Sequence, residues 1–345
     1  MEFHYEIPCE RIKVFVAALQ SLSAIDKEVS FECENTKQLT LRSINDAQSA
    51  AGHVTFLSDF FSKPIHLHIP SSLPHPHTDR IIAKCKLYNK LCCNVFRSIS
   101  IVQSVHLVIR LEPFHSESQL KASDSKSRKR RRDVESEKTS SSDECPFSDE
   151  DPILDAIELI WELHCDHDIL KTHRLQVSTC DLLRPLFDCD FALNRLVMRP
   201  HTLASILDPV RHANEVRFTF SSSHIRMETN VSQSAKEKTF LHTEAAFETG
   251  ELTAYTLHKN ETIDLIFSSR ELKTFQTFCK VSDVPSISIH FDLAGRFAQR
   301  KAQPVAHRCC SPVLFSTKAS SVSAEWMLST LEPEIAESQE SHELF

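Results

Sequence analysis

The stretch CERIKVFVAALQSL, Cys9 to Leu22, runs into Glu28-Val29-Ser30-Phe31, and much later Pro200 to Val210 runs into Glu215-Val216-Arg217-Phe218. In the first stretch Ile12, Phe15, Val16 and Leu19 recur at the spacing of one buried helical face. Each copy continues into a second strand, Leu39 to Ile44 or His224 to Thr229. A second basic amphipathic stretch follows (Lys84 to Ser100; Ser269 to Val281), then another strand (Val105 to Leu111; Ile287 to Phe291). Helix, strands, helix, strands, stated twice, predicts a duplicated α+β unit. The strands alternate as half-buried antiparallel sheet does: Val29/Phe31/Cys33, Leu39/Leu41, Val216/Phe218/Phe220, Ile287/Ile289/Phe291. The expected architecture is therefore two tandem domains, each with antiparallel sheets outside and two helices on one face.

Composition narrows the function. With 345 residues there is room for two cores. Only Gly52, Gly250 and Gly295 occur, no two of them close together. A phosphate-cradling loop needs clustered glycines so that backbone can approach the ligand, so P-loop, Rossmann and kinase readings fail. The acidic Met1-Glu2 start has no apolar segment behind it, so no secretory signal is expected, and apolar runs such as Val14 to Leu19 are too short to span a membrane. Twelve cysteines without a Cys-x-x-Cys pair read as reduced thiols. His66/His68 and His75/His77 lie in a Pro-rich stretch, and His164 and His167 flank Cys165, with no ligand-like spacing to other donors. Neither a metal nor another cofactor is expected. The carboxylates show no clustering of the kind a metal-dependent nuclease needs, so no catalytic residue is assigned.

The net charge of −8 hides an asymmetry. Lys86, Lys90 and Arg97 are spaced to share one stripe of the second amphipathic stretch, with Leu87, Leu91, Val95 and Ile99 on its apolar side. Lys273 and Lys280 share a face of the last one. One such stripe is an ordinary solvated helix face. Four basic stretches at equivalent places in a repeat suggest a common purpose, contact with phosphate. Residues 116–151 are poor in large apolar side chains and are expected to form a disordered insert. Lys126 and Arg128, Lys129, Arg130, Arg131 and Arg132 within it read as a nuclear localisation signal.

The residues also resemble a known family. Leu39-Thr-Leu-Arg-Ser-Ile-Asn45, Ser49-Ala50, Phe60-Phe61, Val95-Phe-Arg-Ser98, Glu162-Leu-His-Cys165 and Lys171-Thr-His173 are similar to the Rad-nine subunit family of the checkpoint sliding clamp. So are Leu196-Val-Met-Arg-Pro200, Ser269-Arg-Glu-Leu-Lys273, Ile287-Ser-Ile-His-Phe-Asp292, Ala294-Gly-Arg296 and Ala324-Glu-Trp-Met-Leu-Ser-Thr-Leu331. The resemblance implies a PCNA-like, non-catalytic subunit of a heterotrimeric ring. Its two other checkpoint-clamp subunits and a clamp loader would be partners, and the ring would encircle double-stranded DNA irrespective of sequence. Its DNA-facing candidates are Arg11, Lys13, Lys86, Lys90, Arg97, Arg199, Arg270, Lys273 and Lys280. Two alternatives are a homotrimeric replication clamp and a repair nuclease.

The resemblance further implies a nuclear protein whose phosphorylated tail recruits a phosphopeptide-binding checkpoint mediator. Ser148, before Asp149-Glu150-Asp151, and Ser338, before Gln339, are the candidate phosphorylation sites. Ala51 and Gln48 depart from the family pattern, and Phe297 to Ser311 has no counterpart in it. The expected limits are residues 1–185 for the first domain, 186–196 for a connector, and 197–332 for the second domain with an extra loop at 297–311. A short acidic tail, 333–345, follows.

Overall fold

A computed structural model describes residues 1–34, 38–68, 82–111, 153–181, 187, 189, 192–229, 242–292 and 312–331. The first unit comprises β1 (Glu2–Pro8), α1 (Cys9–Leu22), β2 (Glu28–Glu34), β3 (Gln38–Ile44), β4 (Ala50–Leu57), β5 (His66–His68), β6 (Ile82–Tyr88), α2 (Asn89–Val95), β7 (Val102–Leu111), β8 (Ile153–Cys165) and β9 (Leu170–Gln176). The second repeats that order: β10 (Asn194–Met198), α3 (Pro200–Leu207), β11 (Glu215–Phe220), β12 (His224–Thr229), β13 (Glu244–Glu248), β14 (Ala254–Thr256), β15 (Ile263–Ser268), α4 (Ser269–Val281), β16 (Ile287–Phe291), β17 (Val313–Lys318) and β18 (Val322–Leu328). The duplication read from the sequence is thus present element for element.

The strand pairings repeat as well. In the first unit β5-β1-β7-β8-β9 and β6-β2-β3-β4 are hydrogen-bonded series; in the second their counterparts are β14-β10-β16-β17-β18 and β15-β11-β12-β13. One pairing joins the units. β18 lies antiparallel to β4 from Val322↔Phe56 to Leu328↔Ala50. The joint extends beyond both strand ends through Leu57 N–H to Ser321 O (2.9 Å) and Ser329 N–H to Ser49 O (2.8 Å). A fourteen-stranded sheet therefore runs through both units.

Helix ends follow local chemistry. Pro8, held extended, precedes α1, Pro200 opens α3 where its missing N–H costs nothing, and Glu10 and Glu271 sit in first turns. Ser268 Oγ donates to the Glu271 carboxylate at the start of α4, a side-chain pair in place of a backbone cap. Apolar faces then decide the packing. Ile12, Phe15, Val16, Leu19 and Leu22 of α1 are buried, as are Leu272, Phe275, Phe278 and Cys279 of α4. Phe15 meets Trp161 of β8 (centroids 5.6 Å apart), and Phe275 meets Trp326 of β18 (5.2 Å).

One expected helix is corrected. Lys84 to Ser100 is not helical throughout: β6 runs to Tyr88, and α2 is confined to Asn89–Val95. The cause lies in the sequence, where Ala83, Cys85 and Leu87 alternate into the core while β6 pairs with β2. Lys86 is consequently on a strand, and Leu91 is exposed instead of on an apolar side. β10 begins at Asn194, inside the span expected as connector. The expected insert 116–151, the loop 297–311 and the tail 333–345 lie outside the described residues. The first two fall in equivalent connections, β7 to β8 and β16 to β17.

Candidate nucleic-acid interface

The four helices of the described residues form one row. α1 packs against α2 on one side and α4 on the other, and α4 packs against α3, giving the order α2-α1-α4-α3. The row crosses the joint between units at its centre, where Ser21 Oγ donates to Thr274 O at 3.0 Å. With apolar faces turned into the sheets, the opposite faces are left to solvent. On α1 that face carries Lys13 and Gln20; on α4 it carries Arg270, Thr277 and Lys280.

Six of the nine predicted cations are exposed on or beside this row: Lys13, Lys90, Arg97, Arg199, Arg270 and Lys280. Arg199 immediately precedes α3, and Arg97 follows α2. The acids within the four helices are Glu10 and Glu271, and Glu271 is already bonded to Ser268. The exposed helix faces are therefore predominantly cationic, although the whole chain is acidic. Flexible cations without base-reading geometry suit contact with phosphate.

The other three cations are engaged within the chain. Arg11 donates to Asp59 O and lies over the Phe60 ring, 5.6 Å from its centroid. Lys86 Nζ is 2.9 Å from Glu28 Oε2, and that bond holds its amine above the usual range. Lys273 Nζ donates to Arg211 O (2.7 Å), Ala213 O (3.0 Å) and Ser269 Oγ (2.8 Å). Half-buried there, its pKa is lowered by burial, and it ties α4 to the turn after α3. Shared spacing with Lys280 could not foretell this, because the carbonyls come from another segment.

Sequence periodicity missed Lys27, Arg211 and His212, which lie in turns and not within helices. Lys27 joins Lys90, Tyr88 and Leu91 around a shallow depression of about 460 Å³ at the end of α1. Arg211 and His212 are exposed just beyond α3. Lys126, Arg128, Lys129, Arg130, Arg131, Arg132, Ser148 and Ser338 lie outside the described residues. Among the described residues, the two groups of histidines and carboxylates close enough to share a metal ion lie on or beside strands and not in the helix row.

A family model described as Rad9 matches residues 15–331. Over 103 residues, 30% of this chain, the sequence is 32% identical to a Drosophila melanogaster protein described as cell cycle checkpoint control protein Rad9. The matched part spans 20% of that relative's length. The fold is similar to that of proliferating cellular nuclear antigen from Entamoeba histolytica (TM-score 0.56, 7% identity, 96% of this chain and 99% of that one). It is equally similar to PCNA from Thermococcus kodakaraensis (0.57, 10%, 95% and 100%). A chain of the PCNA2–PCNA3 complex from Sulfolobus tokodaii also matches (0.57, 9%, 95% and 98%). These structures establish the fold as PCNA-like, the architecture expected from the sequence.

Proposed function

The chain belongs to the Rad9 family, and from that membership we propose that it is a non-catalytic subunit of a heterotrimeric DNA-encircling checkpoint clamp. One observation supports the assembly most strongly. Within the chain, β18 of the second unit closes on β4 of the first. By the repeat, β9 is the counterpart of β18 and β13 the counterpart of β4. Among the described residues, β9 pairs only with β8 and β13 only with β12. The joint made once inside the chain therefore leaves its two matching halves open at opposite ends. Open strand edges present unpaired donors and acceptors that another chain's strand satisfies. Neighbours on both sides, joined in the same way, would continue the sheet into a ring with the helix row facing the hole.

Inside such a ring Lys13, Lys90, Arg97, Arg199, Arg270 and Lys280 would contact phosphates and let the ring slide. Its work would be to hold signalling and repair proteins at damaged DNA after a clamp loader had placed it there. Lys126 and Arg128–Arg132 would direct the protein to the nucleus. Phosphorylated Ser148 or Ser338 would offer a handle to a phosphopeptide-binding mediator. The test is topological: loaded on circular DNA, the complex should resist high salt and slide off when the circle is cut. Salt-sensitive retention indifferent to cutting would refute encirclement.

A homotrimer is the second reading, favoured by the charges of the two edges. β9 carries Lys171 and Arg174, whereas β13 carries Glu244 and Glu248. Family membership favours unlike neighbours.

A further inference from the structure

Away from the helix row, three strands bring together donors that lie far apart in sequence. Cross-strand register sets Glu6 of β1 opposite His106 of β7, and His106 opposite Glu162 of β8. His164, two residues along β8, returns to the same face. Its ring packs against that of His106, with centroids 4.4 Å apart. Ligand atoms of His106, Glu162 and His164 all lie within 4.8 Å of one another. Nε2 of His164 is buried without a hydrogen-bond partner, an acceptor or donor that the protein alone leaves unsatisfied.

We propose that His106, Glu162 and His164 bind a divalent transition metal ion, zinc in the first instance. Two imidazoles and a carboxylate suit zinc's preference for nitrogen and oxygen donors in a tetrahedral set. Glu6 lies beside this group, its Oε2 3.8 Å from His106 Nε2, and would complete the set on turning toward the ion. It is now held by Lys63 at 2.6 Å, a largely exposed side chain that is free to swing away. Bound there, the ion would pin β1, β7 and β8 together and stiffen the strand on which β9 lies. Sequence spacing could not reveal the site, because only the β7–β8 pairing brings His106 to His164. The other histidine–carboxylate group, Glu228, His242 and Glu244, differs in kind. Its carboxylates already face Arg217 at 3.4 Å and Arg226 at 3.0 Å. The proposal does not depend on the ring reading.

Titration of the full chain with cobalt(II), followed by visible absorption and by zinc competition, tests it. One equivalent should bind with the intense bands of a tetrahedral site. His106→Ala, His164→Ala and Glu162→Gln should each weaken binding by at least ~100-fold, more than loss of a supporting group does. A control with His75→Ala and His77→Ala should bind as the parent does. Absence of saturable binding, or binding that survives His106→Ala and His164→Ala, would overturn the site. So would binding lost only in the control, which would mark an adventitious ion on the histidine-rich stretch. Should the alanine variants fail to fold, zinc protection of His106 and His164 from diethyl pyrocarbonate in the parent decides, and unprotected rings refute the proposal.

Discussion

Trp326 of β18 lies directly opposite Gly52 of β4, and its indole occupies the space that a side chain at residue 52 would need. A Cβ at residue 52 would come within 2.4 Å of Ile25 Cδ1 and 3.1 Å of Trp326 Cε2. The indole is fully buried and also meets Phe275 and Phe278 of α4. Strand pairing, helix row and aromatic core thus converge at one point between the units.

Enlarging residue 52 should therefore loosen the joint. Gly52→Ala displaces the flexible end of Ile25 and presses on a rigid indole, whereas Gly52→Val must move both. The expected cost for Val is about 1–3 kcal/mol, the usual range for overpacking a core, and less for Ala. Denaturant unfolding checks the order; equal stability of all three proteins would show that the joint is loosely packed.

The joint should also weaken in acid. His53 of β4 is 3.6 Å from Glu325 of β18. Burial, then the charge of Arg42, pushes the His53 pKa from its ordinary 6.5 down to about 4. Burial raises that of Glu325, a shift of opposite sign that offsets part of the His53 effect. A base whose folded pKa is depressed contributes fully above its unfolded value, and the contribution fades as pH falls toward the folded one. Thermal stability should drop between about pH 6.5 and 4, and His53→Asn should flatten that portion of the profile. An unchanged profile would mean that His53 is solvated when folded.

Charge reversal separates the two kinds of cation. Lys13→Glu, Lys90→Glu, Arg270→Glu and Lys280→Glu should weaken DNA association without altering sequence preference or fold. Each lost phosphate contact should reduce the logarithmic salt slope by about 0.9. Lys273→Met should instead leave DNA association nearly intact and lower stability by about 1–3 kcal/mol, since three acceptors lose their donor. The reverse pattern would place Lys273 at the interface and the others outside it.

The limits of α1 and α4 follow from their apolar spacing, and the repeated element order follows from comparing the halves. Lys84 to Ser100 misled because a period-two run, Ala83/Cys85/Leu87, abuts a short helix and mimics one long stripe. Arg11, Lys86 and Lys273 were legible as basic but not as engaged, because Asp59, Glu28 and the Arg211 carbonyl reach them through tertiary folding. The meeting of His106 with His164 was hidden for the same reason, being a product of strand register.

The open edges at β9 and β13 carry the central claim, and the mass of the native assembly tests it most directly. The tagged chain, purified from its own cells under mild conditions, should give a single species by native mass spectrometry. Its mass should correspond to one copy of this chain with one copy each of two other clamp-fold chains. A monodisperse homotrimer would contradict the heterotrimer, and a stable monomer would contradict the ring itself.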